Sequence, residues 1–247
     1  MKNTKTSPWI FWTGFCLLLI PGLVHAYLLM PFPGSQDLNA ITASYYLEKI
    51  VTPLRIAGAL IVLYYVIKYF TANSTKNKVI KVACLVLFLG SYYVSDVMYK
   101  AETMFEEPKT VKFADAAGNH VPGNMVILGV VNNGVAKAYP LVYLGYHHKV
   151  QDDVGGEPVL VTYCTMCRTG RVYSPIVNGK RQQFRLVGAR HYNAIIEDES
   201  TKTWWYQATG IAGWGIERYP FERTELRTVD PGIVAGEISG LAYLAAR

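Results

Sequence analysis

The chain has 247 residues, is 51% hydrophobic and carries a net charge of +6, a length that allows one large or two small domains. The basic excess does not signal nucleic acid. No aromatic-interleaved basic stripe occurs, and the N-terminal lysines sit where membrane topology wants them.

Charge divides the chain in two. Between Lys5 and Asp37 there is no Asp, Glu, Lys or Arg, whereas charges are frequent and mixed from Lys100 onward. Residues 1–100 therefore read as an α-helical membrane region. Residues 101–247, about 145 of them, read as a soluble domain able to build its own core. Spans are expected near 8–30, 53–70 and 79–99. The first exceeds the ~20 apolar residues that cross a bilayer, and Trp9, Trp12 and Tyr27 suit its interfaces. A signal peptide cleaved after Ala26 is the rival reading, but apolar character continues to Phe32, which favours an uncleaved span. The second and third have uncharged centres of only about a dozen residues. Arg55, Lys68 and Lys81 near their ends can snorkel, which keeps both as spans, and neither has an amphipathic stripe. Cys16, Cys84 and His25 are ordinary residues of these spans. Lys2 and Lys5 precede the first span, and Lys76, Lys78 and Lys81 fill the link between the second and third. The positive-inside rule then puts the soluble domain on the extracytoplasmic, periplasmic side of the inner membrane, with or without cleavage.

In the soluble part, Met125–Val131 and Val135–Tyr139 flank Asn132-Asn133-Gly134, a hairpin signal. Leu141–Val150 carries His147-His148, and Asp152–Gly156 is a turn. Pro158–Tyr163 and Arg171–Val177 flank Cys164-Thr165-Met166-Cys167, and Ala194–Asp198 and Thr203–Gln207 form a further β pair. A short helix is expected from Asp230-Pro231 onward. The expected fold is a mainly antiparallel β barrel or sandwich-like domain with a short C-terminal helix.

Cys164 and Cys167 are the only cysteines outside the apolar third. Thiols at this spacing can share a metal, form a short disulfide, or pack as small apolar groups. A thioredoxin-type site is not indicated, because Gly170 and a β-type run follow where that device needs a helix N-terminus. Arg168 and Arg171 can still favour a thiolate. Cys-x-x-Cys between two strands is also the outline of a metal knuckle, with Cu or Zn as the metals thiolates suit. Further ligands must come from His120, His147, His148 or His191, with His147 or His148 best placed and His191 weaker. Met166 suits a soft metal but is more simply an apolar residue. A purely stabilising disulfide ranks lowest, since so short a loop gives little chain-entropy benefit.

The run Ala138-Tyr139-Pro140-Leu141, His147, Asp152, Val154-Gly155-Gly156, Pro158 through Tyr163 and Cys164-x-x-Cys167 resembles the family DUF3179. The match continues through Gly188, Tyr192-Asn193, Asp198, Thr201, Trp205, Gln207, Thr209-Gly210 and Gly213, covering about residues 124–220. The family's usual motif is similar to Cys-Pro-Leu-Cys-Gly; here Thr165, Met166 and Arg168 differ. The Cys-Thr-Met-Cys-Arg variant resembles a subgroup that includes candidate selenoproteins, which implies redox or soft-metal chemistry. The resemblance selects His147 among the histidines. It also places Tyr192, Asn193, Trp205 and Gln207 at family positions, with Asn193 and Gln207 as groups that orient His147 or a ligand.

Three readings follow. A soft-metal or electron-transfer site would use Cys164, Cys167 and His147, with His148, His191 and Met166 as supplements. A thiol–disulfide oxidoreductase would use Cys164 as nucleophile and Cys167 as resolving thiol. A binding or assembly module would hold the pair as structure only. The first two imply a redox or metal-delivery partner protein, and whether the chain is an enzyme stays open.

Overall fold

Because the opening stretch lacks charge, its backbone polar groups must be satisfied internally, and it folds as a helix, α1 (Pro8–Leu29). The structure, a computed structural model, describes residues 8–71, 73–108, 110–115, 118, 121–122, 125–214 and 242–244. The chain divides between Thr103 and Met104 into two units.

In the first unit α1 is followed by α2 (Ile41–Tyr69) and α3 (Thr75–Tyr92), which continues as a π-helical turn over Tyr93–Met98. Ser74 caps α3 by accepting from the Asn77 amide at 3.4 Å. All three helices are long and apolar enough to cross a membrane. The second starts at Ile41, well before Pro53, which it contains. Small residues let α1 and α2 approach closely. A Cβ on Gly14 would lie 2.9 Å from the Gly58 carbonyl oxygen, and one on Gly58 would lie 2.8 Å from that of Gly14. Phe11, Phe15, Leu18, Val62 and Tyr65 pack beside this crossing. Arg55 of α2 donates to the Leu18 carbonyl of α1 at 3.2 Å and to Asp96 at 2.8 Å, so one guanidinium ties three helices.

The second unit is built of antiparallel sheets. Asn133 and Gly134, both at positive φ, close the hairpin β1 (Ile127–Asn132) and β2 (Val135–Pro140). The apolar run after Pro140 forms a short helix, α4 (Leu141–His147), which ends at His148 in the left-handed region (φ 60°). Then come β3 (Lys149–Val154), β4 (Glu157–Cys164) and β5 (Thr169–Tyr173), a three-stranded sheet in the order β3-β4-β5. A second sheet runs from β6 (Phe184–Arg190) through β7 (Asn193–Asp198) and β8 (Trp204–Tyr206) to β9 (Ala212–Trp214). Val130, Tyr139, Leu144, Val150, Val159, Val161 and Val172 form the core between α4 and the first strands. In the second sheet the indoles of Trp204 and Trp205 are buried, and each donates to a buried carboxylate: Glu197 at 2.8 Å and Asp198 at 3.0 Å. Those carboxylates would otherwise be costly to bury. The C-terminal helix expected from Asp230 onward lies outside the described residues. Among them, Ala242–Leu244 pairs parallel with β2.

Candidate functional site

The two cysteines occupy unlike positions because of the hairpin that carries them. Cys164 is the last residue of β4 and pairs with Thr169, so Thr165–Arg168 form the connecting loop. Strand alternation turns Cys164 inward, where it is fully buried, while Cys167 rides in the loop and is only half-buried. Arg168 takes φ 50°, a conformation that glycine adopts at least cost and that matches the glycine of the family motif. Both thiols are free. No helix begins at the pair, so no helix dipole acts on it.

A second hairpin turn lies against these sulfurs. Arg190 pairs with Asn193, and the two residues between them, His191 and Tyr192, take φ 47° and 58°. This is the geometry of a type I′ turn, made here without glycine, and positive φ is costly for a bulky aromatic residue. The turn places two unlike polar groups on the two sulfurs. The Tyr192 carbonyl accepts from the Cys164 thiol at 3.8 Å, and the Asn193 amide donates to Cys167 Sγ at 3.3 Å. Strained backbone held by its surroundings is a recurrent mark of functional sites.

Gln207 locks the two sheets together at this point. Its side-chain amide donates to Thr162 Oγ1 at 2.9 Å and to the Thr169 carbonyl at 3.0 Å. Its own carbonyl accepts from the Tyr173 hydroxyl at 2.6 Å, and its N–H donates to the Ala194 carbonyl at 2.9 Å. The next N–H, of Ala208, donates to Asn193 Oδ1 at 3.2 Å, and Arg171 Nε donates to the Ala208 carbonyl at 2.9 Å.

Electrostatically the thiols diverge. Burial pushes the Cys164 thiol up, and the neighbouring Cys167 side chain adds to this. The N–H groups of Cys167 and Ala194 act in the opposite direction but are outweighed. At Cys167 burial also acts upward, but the neighbouring Cys164 side chain and hydrogen bonds from Thr169 and Asn193 together prevail and bring this thiol below its ordinary value. Cys167 is therefore the sulfur that gives up its proton more readily, and Cys164 the one that keeps it.

The histidines are placed differently from the cysteines. Nδ1 of His147 contacts the Glu106 carbonyl, and its ring packs edge-on to Tyr146. His148 is buried and packs edge-on to Phe105 with ring centroids 4.0 Å apart; neither ring nitrogen has a hydrogen-bond partner among the described residues. Burial pushes its pKa down to about 4, so it is neutral at physiological pH. His191 is exposed on the turn, Met166 and Arg168 are exposed on the cysteine loop, and Trp205 is buried with its N–H on Asp198. His120 is outside the described residues. Among the described residues, no three His, Cys, Asp or Glu side chains gather as a metal-ligand group. The donors brought together are two sulfurs, one carboxamide and one backbone carbonyl, a set matched to a thiol–thiolate pair. The sequence reading placed Asn193 behind His147 as an orienting group; in the structure it touches sulfur directly. Its place beside Tyr192 in the family pattern was the available signal.

The fold and site together describe a unit of three apolar helices joined to an antiparallel β unit that carries paired, unequal thiols. The model of the family described as protein of unknown function, DUF3179, matches residues 105–230, just over half of the chain, and the chain belongs to that family. The match covers most of the β unit, ending at residue 230, and leaves the three helices outside it. No curated protein and no solved structure matches.

Proposed function

We propose that the β unit is a dithiol redox site that exchanges electrons with disulfides, with Cys167 as the attacking sulfur and Cys164 as the resolving one. The observation that supports this reading is the asymmetry of the pair: a half-buried Cys167 with a lowered pKa beside a fully buried Cys164 with a raised one. This order is the reverse of the one expected from sequence, because β4 buries its last residue and leaves the loop cysteine accessible. The thiolate is the nucleophile in exchange, and attack is fastest when its pKa lies near ambient pH.

The balance is as follows. The Cys167 thiolate attacks a substrate disulfide, forming a mixed disulfide and releasing one substrate thiolate, which takes the Cys164 proton. The Cys164 thiolate, toward which the N–H groups of Cys167 and Ala194 are directed, then attacks the Cys167 sulfur. The protein disulfide forms, and the second substrate sulfur leaves as thiolate. Two electrons pass from protein to substrate, and the reverse sequence oxidises a substrate dithiol. The proposed setting is the extracytoplasmic face of the inner membrane. The arrangement of Lys2, Lys5, Lys76, Lys78 and Lys81 around the apolar helices supports it, and disulfide chemistry is at home in that compartment.

The test is iodoacetamide labelling of the reduced full-length protein in detergent across pH, with both sites mapped by mass spectrometry. Cys167 should label first, with a midpoint below the ordinary thiol value of about 8.5, and Cys164 only on unfolding. Titration in a glutathione redox buffer should interconvert dithiol and disulfide. Faster labelling of Cys164 would overturn the assignment. A pair masked by stoichiometric Cu or Zn until a chelator is added would favour the metal reading instead.

A further inference from the structure

Most buried polar groups near the sulfurs have an evident structural task. Thr162 and Gln207 join sheets, Tyr173 holds the Gln207 carbonyl, and Trp204 and Trp205 donate to buried carboxylates. Asn193 is different, because the donor end of its carboxamide is directed at Cys167 Sγ, 3.3 Å away. Which end of a carboxamide points where is decided by its partners. Here the Ala208 N–H donates to Oδ1 at 3.2 Å, so a flipped amide would set two donors against each other. Ala208 is itself held, through its carbonyl by Arg171 and through Gln207 by Tyr173, Thr162 and Thr169. On the other flank, Asn193 follows the strained His191–Tyr192 turn and pairs with Arg190 as the first residue of β7. The carboxamide is thus fixed from both sides with its donor aimed at sulfur.

We propose that Asn193 is the positioning residue that selects Cys167 rather than Cys164 as the attacking sulfur. The inference rests on the dithiol reading above and assigns its directionality to one side chain. A neutral donor gives more to an anion than to a neutral thiol, because hydrogen bonds to ionised acceptors are the stronger ones. The amide therefore favours the Cys167 thiolate over the thiol. Cys164 receives the complementary treatment from the preceding residue, whose carbonyl accepts from a thiol and would repel a thiolate. Two adjacent residues of one turn thereby bias the two sulfurs in opposite directions, Cys167 toward thiolate and Cys164 toward thiol. In the mixed disulfide Cys167 no longer carries charge, so the grip of the amide weakens as Cys164 becomes the nucleophile. Asn193 neither accepts a proton nor forms a bond.

Asn193→Asp separates this role from a structural one. The carboxylate keeps an oxygen for the Ala208 N–H and preserves that tie, but it removes the donor and places like charge beside the sulfur. The full-length reduced protein in detergent is labelled with iodoacetamide across pH, with the thermal midpoint measured in parallel. The expected result is an unchanged thermal midpoint, a Cys167 labelling midpoint at least one pH unit higher, and a roughly tenfold or greater loss of rate at neutral pH. A pH profile identical to that of the wild type overturns the inference. Should the variant fail to fold, the wild-type Asn193 side-chain amide resonances provide the readout. They should move with the Cys167 titration and stop doing so in Cys167→Ser; resonances indifferent to that titration overturn the inference equally. A wild type in which Cys167 shows no lowered midpoint sinks the dithiol reading itself, an outcome distinct from an unaltered variant profile.

Discussion

The Tyr192 carbonyl oxygen lies 3.8 Å from the Cys164 sulfur and accepts a hydrogen bond from its thiol, although Tyr192 must hold φ 58° to place it there. An acceptor at that point suits a thiol and not a thiolate, which leaves Cys167 as the sulfur able to bear charge. The assignment agrees with accessibility, since Cys164 is fully buried and Cys167 is not.

Removing either sulfur should consequently have unlike effects. Cys164→Ser keeps the attacking thiolate but removes the group that resolves the mixed disulfide. It should accumulate a covalent adduct with a disulfide probe, visible as a mass increase that dithiothreitol reverses. Cys167→Ser should form no such adduct under native conditions, because the remaining sulfur is fully buried and burial pushes its pKa up. A stable adduct at Cys164 in the Cys167→Ser protein would contradict the order of attack.

His148 predicts a pH dependence of stability. Burial lowers its pKa to about 4 in the folded state, against about 6.5 in an unfolded chain. Between those values the unfolded chain binds the proton more tightly. Stability is therefore full above pH ~6.5 and is lost as pH falls toward 4, by on the order of 3 kcal/mol. Denaturant midpoints followed by the fluorescence of the buried Trp204 and Trp205 should fall across this window. His148→Asn, which tolerates the left-handed φ, should flatten the slope there. An unchanged slope in that variant would remove His148 as its cause.

In the helical unit the Arg55–Asp96 pair predicts strong coupling. Asp96→Ala leaves an unpaired guanidinium among apolar helices and should destabilise the unit by about 3 kcal/mol. The double change Arg55→Leu/Asp96→Ala should cost clearly less than the sum of the single changes. Gly22→Ala should mimic loss of the pair, because its Cβ would fall 1.8 Å from Arg55 Nη2. Unfolding titrations in mixed micelles measure all of these, and additive single effects would show that the pair does not act as a unit.

How much of this was legible in the sequence differs by level. Lack of charge marked the helices, and Asn133-Gly134 marked the β1–β2 hairpin, because burial and turn geometry restrict residue type locally. The start of α2 at Ile41 was hidden by Glu48, Lys49 and Pro53, which read as a loop and are carried in the helix. The run Pro158–Tyr163 falls one residue short of β4 at each end, whereas Arg171–Val177 starts two residues late and ends four residues beyond β5. The partner of the cysteines was not legible. His147 recommended itself by chemistry and family position, but α4 ends there and its Nδ1 contacts the Glu106 carbonyl. Asn193 reaches sulfur only because a turn of two non-glycine residues takes positive φ, and no local rule assigns that conformation to His191-Tyr192.

That turn should also respond to the redox state of the pair. In the reduced protein it is tied by the Cys164 thiol to the Tyr192 carbonyl and by the Asn193 amide to the Cys167 sulfur. A disulfide has neither a thiol proton nor a thiolate charge, so oxidation removes the first bond and weakens the second, while the strain of two left-handed residues remains. Each lost hydrogen bond is worth about 1 kcal/mol. Amide exchange in a peptide spanning residues 188–196 should therefore accelerate roughly tenfold on oxidation, with the β3–β4 strands unchanged. Tyr192 is half-exposed, so the loosened turn lies where a partner that distinguishes the two redox states can reach it. Equal exchange in both states would mean that the turn is held by its strands alone and does not register the sulfurs beneath it.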